Sequence, residues 1–232
     1  LVTHPLLDAH TAYGTQLFWP LQSPPIMWST MFIIDPLYTL PLLIAVIVAA
    51  TSPATRRAGT ALVAGLALST TYLAWSWAGK LQVEHHAREE LARLGIVGAP
   101  LFSGPTPFNT LLWRVVVLTE NGYLEGYDSL LVNQAPIRFE SYATDNETLQ
   151  AASDVWGVSR LRWFAQDFLK TEVRDQRLVL TDLRMGAEPQ YVFSHVVAEY
   201  GNPHWKAVPT ELLPVRFSRG DLDMLLKRFW ED

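Results

Sequence analysis

Charged residues are almost absent from the first third of the chain. Residues 1–79 hold only Asp8, Asp35, Arg56 and Arg57, although the 232-residue sequence has 18 Lys and Arg and 23 Asp and Glu. A soluble domain normally carries charge throughout, at about a quarter of its residues. The sequence therefore excludes a single soluble globule. It indicates a membrane-associated part, residues 1–99, followed by a soluble part, residues 100–232.

Two stretches of this first part are long enough to cross a bilayer. Residues 36–55 and 58–79 contain no charge, and a spanning helix needs about 20 apolar residues. We predict membrane spans near residues 33–54 and 58–79 that form a helical hairpin. Tyr72, Trp75 and Trp77 provide the aromatic side chains expected at a membrane interface. The alternative is a pair of helices buried in a large soluble core.

The link between the two spans carries Arg56 and Arg57. Positive loops tend to stay in the cytoplasm, so we expect residues 1–35 and everything after Lys80 on the outer, periplasmic side. The chain begins with Leu1 rather than Met and shows no charged segment or cleavage site of a signal peptide. We therefore expect a further segment upstream.

The second part mixes helical and strand patterns. The pairs Glu84–Arg88 and Glu89–Arg93 predict that the second span continues as a helix over 80–98, followed by a Pro-rich loop. Strands are predicted at residues 113–119, 123–132, 137–143, 169–173, 177–183 and 190–200, and helices at 147–168 and 220–232. The predicted fold class is a membrane α-helical hairpin plus a soluble α+β domain.

The first candidate site is the pair His4 and Asp8 in the segment THPLLDAH. Residues i and i+4 share one face of a helix, so the imidazole of His4 and the carboxylate of Asp8 could bind one divalent metal ion. Zinc fits this combination of ligands best. The alternative is a solvated helix start capped by Thr3. His10 faces elsewhere and is expected to be structural.

Asp35 precedes Pro36 at the mouth of the first span. It is a candidate catalytic residue, either as a further ligand or as a base acting on a metal-bound water. The alternative is a capping carboxylate. His85 and His86 diverge on a helix and have charged neighbours, which favours a solvated face. No Gly-rich nucleotide loop or serine-hydrolase motif is present.

Several segments resemble one family. THPLLDAHTAYGTQLFWPL (3–21), FIIDPLY (32–38) and the two spans are similar to the bacterial inner-membrane, predicted metal-dependent hydrolase family. Segments 105–118, 122–131 and 180–186 resemble its outer domain. The resemblance implies His4 and Asp8 as metal ligands and Asp35 as ligand or base. The family's upstream membrane segments, with a further histidine-bearing motif, would precede Leu1.

Three functions remain open. The first hypothesis is a membrane-bound hydrolase that uses a metal-activated water, with a lipid or other amphiphilic ester or phosphoester as substrate. The second is a non-catalytic, membrane-anchored binding or assembly protein. A third is a transporter segment with Asp8 and Asp35 on an ion path. Expected partners are membrane lipid and a small-molecule or lipid substrate. Nucleic acid is not expected, because no basic patch is present.

Overall fold

The structure is a computed structural model that describes residues 3–131, 136–201 and 204–214. The helix predicted over 220–232 lies outside these residues. In chain order the described elements are α1 (Thr3–Asp8), α2 (Pro36–Thr51), α3 (Arg56–Arg93), β1 (Leu101–Pro105), β2 (Leu112–Thr119), β3 (Gly122–Ser129), β4 (Glu140–Ala143), α4 (Asn146–Ala151), α5 (Trp156–Ala165), β5 (Leu169–Arg174), β6 (Arg177–Asp182), β7 (Gly186–Ala187), β8 (Gln190–Tyr191), β9 (Ser194–Gly201) and β10 (His204–Leu212).

Helices α2 and the first half of α3 run antiparallel and pack closely. A Cβ atom built on Gly65 would lie 2.6 Å from the Cβ of Ala45, so the two backbones approach as only small residues allow. The Ser69 hydroxyl donates to the carbonyl of Tyr38 at 2.7 Å. Among the described helices, α3 alone has the length and hydropathy of a membrane span, since α2 has 16 residues.

The outer surface of this pair is apolar and open. Val63 is 70% exposed, Leu66 is 61% exposed and Ile44 is 59% exposed. A soluble monomer rarely leaves so large a contiguous apolar surface facing water. The helices are therefore not buried in a soluble core.

The second half of α3 belongs to the core of the α+β part. Val83, Ala87 and Leu91 are buried against Trp113 and Val115 on β2. The helix ends at Arg93, before Gly95, which adopts a left-handed φ of +79°. The predicted extension over 80–98 thus exists, ends earlier than expected, and connects the apolar helix pair to the strands through one continuous helix.

The strands form two four-stranded antiparallel sheets. Sheet 1 has the order β1-β2-β3-β4, sheet 2 has the order β10-β9-β6-β5, and β7 with β8 forms a small hairpin. In β2, Val115 faces α3, whereas Val116 faces the layer between the sheets, where it meets Phe168 and Leu183. Both faces of β2 are buried, which explains its continuous run of apolar residues.

The segment between α1 and α2 lies along the soluble layer. The Trp28 amide donates to the carbonyl of Ala9 at 2.7 Å, and Gln166 donates from its side chain to the carbonyl of Pro25 at 2.8 Å. The ring of Tyr13 contacts Phe164 of α5 at a centroid distance of 5.3 Å. The charge-poor part and the α+β part therefore share a packed surface.

Most predicted strands are confirmed, but four elements differ. The Pro-rich stretch after residue 99 contains β1, where Gly104 and Pro105 are tolerated because the strand lies at a sheet edge. The helix predicted over 147–168 is broken into α4 and α5, and both halves cover sheet 2. The strand predicted over 190–200 is divided because β8 pairs with β7 and β9 pairs with β6. Strand β10 had not been predicted.

Candidate functional site

His4 and Asp8 face each other on α1, as the spacing predicts. The His4 Nε2 atom lies 3.6 Å from Asp8 Oδ2, and the two side chains are 81% and 48% exposed. A second pair with the same spacing, His85 and Glu89 on α3, has an Nε2–Oε1 distance of 3.3 Å on a solvated face. The geometry of the first pair is therefore that of an ordinary exposed helix pair.

His10, which is expected from the sequence to face away from this pair, does not join it. His10 is buried and shares a hydrogen bond of 2.8 Å with the Thr30 hydroxyl, and its ring packs against Trp28. Burial lowers the pKa of His10, which favours a neutral, structural ring, as expected. Within the described residues, no group of three His, Cys, Asp or Glu side chains could hold a metal ion. A catalytic zinc uses three protein ligands, so the described side chains do not form a complete zinc site.

Asp35 connects three parts of the structure. Its Oδ1 accepts the backbone N–H groups of Leu37 and Tyr38 at 3.0 and 3.4 Å, which caps α2. Its Oδ2 accepts the hydroxyl of Tyr72 on α3 at 2.7 Å, and Thr110, in the loop before β2, donates to the same Tyr72 oxygen at 3.1 Å. The carboxylate is buried and both oxygens have partners. This arrangement connects the N-terminus of α2, the middle of α3 and the loop before β2.

His86 has a partner that the sequence pattern did not reveal. Its Nδ1 lies 3.0 Å from Oδ2 of Asp128 on β3, whereas His85 is exposed. Burial raises the pKa of Asp128, and the imidazole acts in the opposite direction. The solvated face expected for both histidines holds for His85 alone, because α3 packs on sheet 1 at the position of His86.

A buried polar network lies between the two sheets. Arg114 on β2 and Glu125 on β3 form an ion pair at 2.6 Å, and both side chains are under 10% exposed. Arg114 also donates to the carbonyl of Leu183 at 2.7 Å and to the Tyr191 hydroxyl at 3.1 Å. Burial acts to raise the pKa of Glu125, but the guanidinium of Arg114 outweighs it, and the pKa lies below its ordinary value. The carboxylate, carbonyl and hydroxyl partners compensate for the burial of the Arg114 charge.

A second buried ion pair joins Asp182 and Arg184. Arg184 donates to both carboxylate oxygens of Asp182, at 2.8 and 2.5 Å, and its guanidinium lies over the ring of Phe164. The pair is fully buried where the N-terminal segment meets sheet 2. Since every oxygen of the carboxylate is engaged, this pair stabilises the fold.

An open groove of about 440 Å³ lies between the N-terminal segment and α5. Its walls are Gln16, Trp19, Pro20, Leu21, Gln22, Trp156, Ser159, Arg160 and Trp163. Trp19 and Trp156 are more than 70% exposed, and the guanidinium of Arg160 lies 4.1 Å from the centre of the Trp163 ring. No lining residue is acidic, so the groove combines indole surfaces with one positive charge. No sequence pattern indicates this groove, because its two walls are more than a hundred residues apart in the chain.

Comparison with known proteins gives a family match for the first part of the chain. Residues 1–83 match the family described as YdjM inner membrane protein. The matched residues contain α1, α2 and α3 as far as Val83. They make up about a third of the chain. No curated protein and no solved structure gives a significant match.

The match supports an inner-membrane location and confirms the resemblance at the level of a bacterial inner-membrane family. It ends before β1, so it does not include the α+β part. The family description names no hydrolytic activity, and metal-dependent hydrolysis stays a prediction.

Proposed function

We propose that this protein is a two-pass inner-membrane protein that holds its α+β domain at the outer membrane face and binds an amphiphilic ligand there without catalysis. The observation that carries the proposal is the groove between the N-terminal segment and α5. One wall belongs to the part that matches the membrane family, and the other belongs to the α+β part. Clefts between two structural units are common ligand sites.

The chemistry of the groove favours an anionic amphiphile. Exposed indole rings such as those of Trp19 and Trp156 present large apolar faces and an N–H donor, which suits molecules with an apolar body and a polar end. Arg160 provides the charge for an acidic head group, and no carboxylate in the lining opposes it. A membrane lipid or lipid derivative has this combination of properties.

Asp35 supports a binding protein rather than an enzyme. Both of its carboxylate oxygens are used to cap α2 and to hold Tyr72, so a base would have to break these bonds to act. The same bonds fix the position of the domain relative to the hairpin. We infer that this carboxylate has a structural rather than a catalytic role within this chain.

Ligand binding can be measured by energy transfer from tryptophan to a dansyl-labelled lysophosphatidylglycerol, with the protein in nanodiscs. We expect saturable transfer that weakens in W156A and in R160Q. The control variant R138Q removes an exposed arginine outside the groove and should bind as the wild type does. Equal binding by all of these variants would exclude the groove as the ligand site.

The two-pass topology has its own test. Arg56 and Arg57, in the first turn of α3 next to the link between the helices, favour a cytoplasmic link and a periplasmic domain. The sequence contains no cysteine, so single-cysteine variants at Val173 in the domain and at Thr55 in the link can be labelled selectively. In intact cells with a permeabilised outer membrane, an impermeant maleimide should label position 173 and not position 55. The reverse pattern would place the domain in the cytoplasm.

A metal-dependent hydrolase is the second candidate, and one observation favours it: the side chains of His4 and Asp8 lie 3.6 Å apart on one helix face. Elemental analysis of the purified protein tests it directly. The hypothesis predicts bound zinc that is lost in H4A and D8A but retained in H85A, which removes the equivalent exposed pair on α3. Absence of zinc from the wild-type protein, or equal zinc in all variants, would remove His4 and Asp8 as ligands.

A further inference from the structure

The loop before β2 lies beside the Asp35 end of the apolar hairpin. Thr110 in this loop donates to Tyr72 on α3, and Tyr72 donates to Asp35, the residue that caps α2. The ring of Phe108 in the loop contacts Phe32, three residues before that cap, at a centroid distance of 5.5 Å. Residues 106–111 of the α+β part are therefore beside the end of the hairpin.

Helix α2 is short for a membrane span. Its 16 residues extend about 24 Å at 1.5 Å per residue, whereas the hydrocarbon layer is about 30 Å thick. A hairpin that crosses the membrane therefore needs further apolar surface, about 6 Å high, beyond one end of α2. The link at the other end leads directly to Arg56 and Arg57, so the apolar surface must continue at the Asp35 end.

Exposed apolar side chains are present at that end. Ile33 is 61% exposed, Ile34 is 63% exposed and Phe108 is 56% exposed. The two chain segments that carry them contain no Asp, Glu, Lys or Arg over residues 9–34 and 94–113. This surface is continuous with the exposed apolar face of the hairpin and is free of the charges that would keep it out of lipid.

The loop is also held in a fixed shape. The Asn109 side chain donates to the Thr106 hydroxyl at 2.8 Å and accepts the backbone N–H groups of Leu111 and Leu112 at 2.8 and 2.9 Å. Phe108 adopts a left-handed φ of +66°, which bulky residues rarely do. The loop thus presents an exposed phenyl ring from a strained but hydrogen-bonded turn, where a polar residue or glycine would be the usual choice.

We propose that Ile33, Ile34 and Phe108 enter the outer leaflet of the same bilayer and form a membrane-contact surface where the α+β domain meets the Asp35 end of the hairpin. This inference rests on the proposed two-pass anchor. The loop then has a role that the hairpin cannot fulfil alone. Together with Ile33 and Ile34, it extends the apolar surface beyond the end of the short helix α2. It also fixes the orientation of the domain relative to the membrane.

Site-directed spin labelling tests the contact, because the chain has no cysteine of its own. A nitroxide is attached to single-cysteine variants in phosphatidylglycerol-containing vesicles, and its collision rates with oxygen and with a water-soluble nickel chelate are measured. The variants are F108C for the loop, V63C for the middle of the span, and V173C as an exposed apolar residue on the β5–β6 hairpin. We expect a high oxygen-to-nickel ratio at positions 63 and 108 and a low ratio at position 173.

The outcomes separate the two proposals. A lipid-like ratio at position 63 with a water-like ratio at position 108 would overturn the membrane-contact surface and leave the anchor intact. A water-like ratio at position 63 would overturn the anchor itself. Protection of position 108 from both reagents, together with spin–spin broadening, would show that a second copy of the chain covers this surface, and it would also overturn the proposal.

Discussion

The ion pair between Arg114 and Glu125 gives a prediction that follows directly from the structure. Both side chains are buried, and the carboxylate accepts hydrogen bonds from Arg114 at 2.6 Å and from the hydroxyl of Tyr127 at 3.0 Å. Glu125→Gln preserves the size of the side chain and removes its charge. The guanidinium would then remain buried without a compensating charge. Its other acceptors, the carbonyl of Leu183 and the hydroxyl of Tyr191, are neutral and cannot replace the lost carboxylate.

The expected loss is large. Breaking a buried ion pair by removing one partner costs about 3–5 kcal/mol. A change of 1 kcal/mol shifts the melting temperature of a domain of roughly this size by about 3–5 °C. Glu125→Gln should therefore lower the melting temperature of the α+β part by at least about 10 °C.

The assay is thermal unfolding in detergent, followed by the far-ultraviolet circular dichroism of the strands. Glu211→Gln is the matched control, since it breaks the Arg177–Glu211 pair on the surface, where the glutamate is 55% exposed. Surface pairs contribute little to stability, so this variant should melt as the wild type does. Equal melting temperatures for Glu125→Gln and the control would refute the reasoning that burial makes the Arg114 pair important.

Three further predictions concern other contacts. The folded-state pKa of Glu125 lies below its ordinary value of 4.5, so the stability that Glu125 contributes is present above pH 4.5 and is lost as the pH falls through the folded pKa. The difference in melting temperature between the wild type and Glu125→Gln should therefore narrow at acidic pH. A difference that stays constant with pH would contradict the lowered pKa. Gly65→Leu should destabilise the detergent-solubilised hairpin, because its Cβ would meet α2 at 2.6 Å, whereas Gly59→Leu meets nothing within 4 Å and should be tolerated in the same aggregation-temperature assay. His86→Ala should cost about 1–3 kcal/mol in denaturant unfolding, since it leaves a buried carboxyl on β3 without its imidazole partner, while an unchanged midpoint, as expected for His85→Ala, would argue against that contact.

The membrane character and the strand pattern could be read from the sequence because they depend on local composition. The shortage of charge before residue 80 indicates a membrane environment for this part, whatever its tertiary structure. The family match over residues 1–83 supports an inner-membrane location. The β2–β3 hairpin follows from the apolar run after Trp113 and the turn near Asn121, which act over a few residues. The helical spacing also correctly brought His4 and Asp8 to one face.

The contacts between distant segments required the tertiary structure. The partner of Asp35 is Tyr72, 37 residues away, and that of His86 is Asp128, 42 residues away. A pattern of residue types shows that a carboxylate or imidazole is present, but not which group it will meet, because that depends on how helices and sheets pack. For the same reason, the sequence alone supports a helix-capping role and a catalytic role for Asp35 equally.

The sequence by itself thus determined that the first part of this protein avoids water and that the second part is an α+β fold, because hydrophobicity and backbone preference are properties of short segments. Only the tertiary structure decided that Asp35 ties the hairpin to the domain, that Arg114 is neutralised by Glu125, and that Trp19 and Trp156 line one groove. Those arrangements depend on packing between residues far apart in the chain, and no local pattern encodes the distances between them.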